Sequence, residues 1–270
     1  MMNNGEQVHG EMDVERPSAA RIYDYLLGGY HNFEADRMAA ERFRALLPSM
    51  PLYMQANRNF LRRVVSYLVN RGIDQFLDIG SGIPTVGNVH EVAQVMNPAA
   101  RIVYVDIDPV AVRQSEEILK GNENATALQG DLRHPEAILQ HAEVQSMLDF
   151  DKPVAVLLLS ILLFVTEDEE AKRAVRVLRD ALAPGSYVAV THPTDDHLPQ
   201  EQVEQAKSLY ARNGNPVNIR SFVQIKNFFD GLELVEPGLV YVARWRPEGP
   251  DDLFEQPESS GYYGGVGRKP

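Results

Sequence analysis

The chain has 270 residues, with 26 Lys and Arg against 38 Asp and Glu, a formal charge of −12, and no cysteine. Without cysteine there is no disulfide, thiolate zinc site or cysteine nucleophile, and the acidic balance argues against broad phosphate-backbone binding, which needs clustered Lys and Arg. At roughly 150 residues per domain, the length suits one large α/β domain or two small ones.

Residues 1–16 are polar, acidic and aperiodic, with no apolar stretch of a signal peptide, and read as a disordered tail. From Pro17 to Gly72 the pattern is helical. Phe60, Leu61, Val64, Val65 and Leu68 mark one apolar face that Gly72 can end, while Gly28-Gly29 breaks the region into several helices. From Ile73 short β-rich runs alternate with helices: QFLDI (75–79), RIVYVDI (101–107), ATALQ (125–129), VAVLLLS (154–160) and SYVAVT (186–191). Between the first two, Val86, Val89, Val92, Ala93 and Met96 fall at helical spacing. Pro109 opens a helix reaching Lys120 and stopped at Gly121, and Ala171, Ala174, Val175, Leu178 and Leu182 stripe another. Such alternation means βαβ units and a parallel sheet covered on both faces. The longest apolar run, Val154 to Val165, falls short of the about 20 residues of a membrane helix and reads as a buried strand with its continuation. A soluble, cytoplasmic protein is expected.

After Thr191 a polar helix (about 199–213) and a short one near 221–229 are predicted, the latter with Ser221 and Gln224 at capping-box spacing. LELVE (232–236) and LVYVARW (239–245), a Pro-Gly turn apart, read as an antiparallel hairpin. Residues 247–270, rich in Gly and Pro, read as a loop or tail.

The main chemical signal is LDIGSGIP (77–84) at the end of the first strand, where glycines let the backbone turn sharply and approach a ligand. The dinucleotide fingerprint would need glycine where Thr85 stands, which disfavours a pyrophosphate. Instead Asp78 lies two positions before Gly80 and suits a ligand carrying an ammonium. Asp106 ends the second strand, where a carboxylate accepts both hydroxyls of a ribose. Asp131, after Gly130 at the end of the third, suits an adenine amino group. Three acidic residues on three successive strand ends fit S-adenosylmethionine better than NAD or ATP.

On DIGSG, VDIDP, GD and PGSYVAVTH the sequence resembles the class I S-adenosylmethionine-dependent methyltransferases. More narrowly, ARIYDYLLGGYHNF (20–33), FLDIGSGIPT (76–85), NVHEVAQ (88–94), VYVDIDPVAV (103–112), FFDGLELVEPGLV (228–240) and GVGRKP (265–270) resemble a bacterial methyltransferase family long catalogued as a domain of unknown function. The resemblance covers nearly everything after Pro17. It implies a Rossmann-like α/β fold: a seven-stranded, mostly parallel sheet with an antiparallel C-terminal hairpin and an N-terminal helical extension. The organisation is then a tail (1–16), a helical cap or lid (17–72), a methyltransferase domain binding S-adenosylmethionine (73–246) and a C-terminal loop (247–270). Pro84 stands where the class pattern has a third glycine, which stiffens the loop.

The cofactor set is accordingly Asp78, Gly80, Ser81, Gly82, Asp106, Ile107, Asp131, Leu132 and Ser160. Asp108, directly before Pro109, reads as a helix cap instead, and Ser160, breaking an apolar run, as a satisfied hydroxyl or part of the pocket floor. Arg58 could pair with the cofactor carboxylate or sit on a solvated face. Around Gly28-Gly29, Tyr23, Asp24, Tyr30, His31 and Asn32 could form a lid. His192, after the fifth strand, is the leading candidate base, with His31 second and Tyr23 third. His192 and His197 make no convincing metal site. The expected function is methyl transfer to a hydroxyl or amine of a small molecule, without nucleic acid or membrane as partner. The chain carries no NPPY-type motif for base methylation. The alternatives are a non-catalytic sensor of S-adenosylmethionine and an NAD-dependent oxidoreductase, the latter weakened by Thr85.

Overall fold

The computed structural model describes residues 14–84, 87–196, 198–252 and 254–270. The expected N-terminal tail therefore falls almost wholly outside the described residues, as do Thr85, Val86 and His197.

Three helices precede the sheet: α1 (Ala19–Leu26), α2 (Glu34–Leu46) and α3 (Met50–Val69). The apolar stripe of α3 is buried from Phe60 to Leu68. The helix ends where Ile73 N–H returns to Leu68 O and Gly72 takes φ +85°, a left-handed step that glycine makes without strain. The break between α1 and α2 has a specific cause. Gly28 takes φ +84°, and a Cβ on Gly29 would lie 2.0 Å from Asp24 Oδ1, so the carboxylate packs directly on the glycine backbone. Asp24 Oδ2 then accepts from His31 N–H and Asn32 Nδ2, both at 2.9 Å, which fixes the turn.

The α/β part runs β1 (Gln75–Ile79), α4 (Val89–Met96), β2 (Arg101–Asp106), α5 (Pro109–Ile118), β3 (Ala125–Gln129), α6 (Pro135–Gln140), α7 (Ala142–Met147), β4 (Ala155–Leu159), α8 (Asp168–Ala181) and β5 (Tyr187–Pro193). Its five strands are parallel in the order β3-β2-β1-β4-β5, so the direction of progression reverses between β1 and β4 and opens a crevice there. Asp108 caps α5 by accepting from Val110 N–H at 2.9 Å, as its place before Pro109 predicts. Alternate residues of each strand feed two cores. Phe76, Ile102 and Ala155 join the buried side chains of α1–α4 on one face, and Leu77, Val103 and Val156 join those of α8 on the other. The N-terminal helices thus share a continuous core with the sheet.

The C-terminal third departs from expectation. After α9 (Gln200–Arg212) and α10 (Phe222–Lys226), β6 (Glu233–Leu234) and β7 (Val240–Tyr241) do not pair with each other. Both pair antiparallel with β8 (Tyr262–Arg268), which lies beside β5 across seven register pairs, from Tyr187 opposite Arg268 to Pro193 opposite Tyr262. The predicted hairpin is therefore replaced by two short strands sharing a third, and the sheet has eight strands rather than seven. Part of the expected tail is an interior strand. Its glycines misled the sequence reading because glycine weakens strands in general. Here they are required by packing: a Cβ on Gly264 would meet Val242 Cγ1 at 2.7 Å and Phe60 at 2.9 Å, and one on Gly267 would meet Leu232 at 2.8 Å. The segment leading to β8 is held by Arg63 of α3, fully buried, which donates to Trp245 O (2.9 Å) and Val242 O (2.6 Å) and pairs with buried Asp252.

Candidate active site

The carboxyl ends of the parallel strands open into a cavity of about 520 Å³, roofed by α1, α3 and the Tyr210–Pro216 segment. That lies within the roughly 300–1,000 Å³ usual for small-ligand sites. All nine residues of the cofactor set line it: Asp78, Gly80, Ser81 and Gly82 after β1, Asp106 and Ile107 after β2, Asp131 and Leu132 after β3, and Ser160 after β4. The glycine loop is built by backbone contacts. Gly80 N–H donates to Val105 O at 2.7 Å, Gly80 takes φ +73° and Gly82 takes φ +63°. A Cβ on Gly80 would collide with Ile161, so this glycine is demanded by the protein's own packing.

The carboxylates differ in environment. Asp78 is buried, and among the described residues nothing donates a hydrogen bond to it. Burial pushes its carboxyl up to about 7, Arg58 opposes that rise, and Asp106 adds to it. A buried acceptor held at such a cost suits a cationic group. Asp106 is also buried and raised to about 6, chiefly by desolvation, but it accepts from Gly82 N–H (2.8 Å) and Asp108 N–H (2.9 Å). It therefore shapes the loop as well as facing the cavity. Burial would raise Asp131, yet its ion pair with Arg133 at 2.6 Å holds the carboxyl below its usual value. Ser160 sits at φ +57°, uncommon for a residue with a side chain, and its Oγ lies 2.9 Å from the Tyr262 hydroxyl.

The proposed bases fare differently. His192 does not reach the cavity. It is fully buried, with Nδ1 2.8 Å from Pro193 O, Nε2 3.2 Å from Arg220 Nη1, and its ring stacked on Phe228. Burial, with the Arg220 charge beside it, pushes the ring down to about 3, so it stays neutral. Its sequence position at a strand's carboxyl edge was right, but alternation turns it to the face packed by α10's neighbours. His31 is also off the cavity, its ring tilted against that of Tyr30 at 4.3 Å, and Tyr30 is itself 83% exposed. Tyr23 does line the cavity, its hydroxyl donating to Met54 O and accepting from Asn57 Nδ2, both at 3.1 Å, with its acidity weakened by burial. Of the expected lid, Tyr23 and Asp24 face the cavity, whereas Tyr30, His31 and Asn32 do not.

Sequence reasoning missed Asn57, Phe164, Tyr210 and Tyr262, which also line the cavity. Asn57 carried a signal: it is a lone amide on the buried stripe of α3, where its Oδ1 accepts from Thr191 Oγ1 at 2.6 Å. Tyr262 could be placed only once β8 was recognised as a strand. Among the described residues no group of three or more His, Asp or Glu is arranged to hold a metal ion, and no helix is long and apolar enough to cross a membrane.

A family model described as S-adenosyl methyltransferase matches residues 5–270. The chain belongs to that S-adenosyl methyltransferase family. Two solved structures are similar over almost their whole length. A DUF574 family protein from Streptomyces avermitilis is 38% identical, with a TM-score of 0.91 over 96% of this chain and 100% of that one. A candidate methyltransferase from Thermobifida fusca is 41% identical, with a TM-score of 0.89 over 96% of this chain and 97% of that one. An O-methyltransferase family protein from Burkholderia thailandensis, 16% identical with a TM-score of 0.53 over 94% of this chain and 64% of that one, shares the fold. No curated protein matches the chain. As a family member the protein is an S-adenosylmethionine-dependent methyltransferase with the Rossmann-like architecture described above. An unpartnered acidic acceptor at Asp78 and the glycine turn beside it fit that cofactor, and the oxidoreductase alternative falls away.

Proposed function

We propose that the protein methylates a hydroxyl or amine of a small molecule held over β4 and β8, with the cofactor over β1, β2 and β3. In this reading Asp78 takes the cofactor's ammonium, Asp106 its ribose hydroxyls, and Ile107, Asp131 and Leu132 surround its adenine. One observation carries the acceptor assignment. Every described lining residue that follows Arg133 in the chain is uncharged, and Phe164, Tyr210 and Tyr262 supply an aromatic wall beneath the helical roof. A roofed chamber uncharged along its β4 and β8 side, with Arg21, Asp24 and Arg58 on the roof, suits a compact acceptor rather than an acidic or basic polymer, in keeping with the chain's −12 charge.

S-adenosylmethionine, when bound, supplies a methyl group already activated by its sulfonium. The chain's own work is then alignment of the acceptor and exclusion of water. The Ser160 and Tyr262 hydroxyls at the chamber floor offer the acceptor a hydrogen bond. No observation favours the non-catalytic sensor. The test is incubation with trideuteromethyl S-adenosylmethionine and a cell extract separated into metabolites, RNA and protein. Label on small-molecule oxygen or nitrogen supports the reading; label confined to RNA or protein overturns it.

A further inference from the structure

Three tyrosines line the cavity, Tyr23, Tyr210 and Tyr262, and each keeps its proton. Burial raises all three hydroxyls above the usual phenol value, and Tyr210 and Tyr23 raise Tyr262 further. Their hydrogens are not spent equally. Tyr23 donates its hydrogen to Met54 O. Ser160 and Tyr262 share one hydrogen bond at 2.9 Å, so whichever donates, the hydrogen of the other is left over. The Tyr210 ring, on α9, is fixed by Phe43 at 4.4 Å and Phe164 at 6.2 Å. Its hydroxyl makes no hydrogen bond among the described residues, and it is not sealed within the protein. The cavity thus offers spare hydroxyl donors beside aromatic rings. Its carboxylates, by contrast, are committed. Asp131 is tied to Arg133, Asp108 caps α5, and Asp24 has Oδ2 filled by His31 N–H and Asn32 Nδ2 with Oδ1 packed on Gly29. Asp78 and Asp106 lie at the cofactor end, and no His, Lys or Glu lines the cavity among the described residues.

Resting on the reading that a small molecule is methylated over β4 and β8, we infer that the acceptor is an aryl hydroxyl, bound as its oxyanion by the Tyr210 hydroxyl and the spare hydrogen of the Ser160–Tyr262 pair. Hydroxyl donors recognise lone pairs, and they bind an oxyanion more strongly than a neutral oxygen. An alkyl alcohol would arrive protonated and need a base that this wall does not present. An amine would end the reaction as a cation facing hydroxyl hydrogens and an uncharged wall. A carboxylate keeps its charge on two oxygens, whereas an aryloxide spreads it into a ring that the aromatic wall can pack, so it costs less to bury. The step then balances without a proton transfer. The acceptor oxygen forms the new O–CH3 bond as the C–S bond breaks, and the bonding pair stays on sulfur. Anion and sulfonium become a neutral ether and a neutral thioether.

The test isolates the deuterium-labelled small molecule that the wild-type protein forms in a cell extract and identifies the bond carrying the label by mass spectrometry and NMR. An aryl methyl ether is expected. Label on nitrogen, in an alkyl ether or in an ester overturns this inference and leaves small-molecule methylation standing. Label confined to RNA or protein overturns both. The purified acceptor then serves for pH profiles of kcat in the wild-type protein and in Tyr210→Phe. The wild-type rate should climb with pH through the acceptor's own ionisation and then level off. Loss of one donor should weaken the hold on the oxyanion by about tenfold, which moves that limb up by about one pH unit in the variant without lowering the plateau. A merely structural role would lower the plateau and leave the limb in place, and that result overturns the assignment of Tyr210. Because the hydroxyl is unpaired among the described residues, its removal should leave Tm unchanged, which separates the effect from misfolding.

Discussion

Replacing Asp78 by Asn should make the ligand-free protein more stable while crippling its cofactor site. In the folded state the Asp78 carboxyl is raised from 3.8 to about 7 by burial. A carboxyl whose folded pKa is raised destabilises the fold once the pH exceeds its unfolded value, and the full penalty is present above the folded value. The interval is about three pH units at about 1.4 kcal/mol each, so the penalty at pH 8 is about 4 kcal/mol. It falls to about 2 kcal/mol at pH 5 and disappears below about pH 4, where both states are protonated. The amide of Asp78→Asn carries no such charge, so the variant's advantage should follow the same curve. For a chain of this size, about 4 kcal/mol corresponds to a rise in Tm of about 10 °C. Thermal unfolding of both proteins without ligand, from pH 4 to pH 8, measures it, with Asp106 common to both. Calorimetry on the same samples should show affinity for S-adenosylhomocysteine lower by about tenfold or more, since the ammonium loses its counter-charge. A variant no more stable than the parent at pH 8, or a difference that does not change with pH, would refute the argument that this carboxylate is held at a cost for a ligand.

Three further outcomes are expected. Gly264→Val forces a side chain into Val242 and Phe60, and should cost about 3 kcal/mol or more, read as a fall in Tm; a shift worth less than about 0.5 kcal/mol would mean that β8 does not sit in the sheet as described. His192→Asn should lower stability but leave the pH profile of methyl transfer unchanged, because the ring lies off the cavity and is already neutral above about pH 3; loss of the acid limb of that profile would reinstate His192 as the base. Arg63→Met leaves the buried Asp252 carboxylate with only the half-exposed Arg62 guanidinium at 3.3 Å and Glu248 N–H as partners, and denaturant titration should show a loss of about 3 kcal/mol, largely recovered in Arg63→Met/Asp252→Asn; without that recovery the pair is not what anchors the segment before β8.

Much of the molecule was legible because the signals are local. The five parallel strands announce themselves as β-rich apolar runs, the caps at Asp108 and Ser221 follow from side chains beside their own backbone, and Asp78, Gly80, Gly82 and Asp106 stand at strand ends wherever the sheet is drawn. Periodicity and turn chemistry need only a few neighbouring residues, so a sequence determines them by itself. What only the tertiary structure decided depends on partners far along the chain. YYGGVGR becomes an interior strand because Phe60, Val242, Phe229 and Leu232 fill the space its glycines leave, a cause invisible in a segment whose own composition disfavours a strand. His192 is removed from chemistry by Arg220 and Phe228, and Arg58 is brought to the cavity by Asn88 and Tyr23, all of them on other elements of the fold. Propensity acts within a turn or a strand. Which side chains share a cavity is fixed by long-range packing, and in this protein that packing joins the glycine loop, readable from its motif, to walls drawn from α3, β4, α9 and β8.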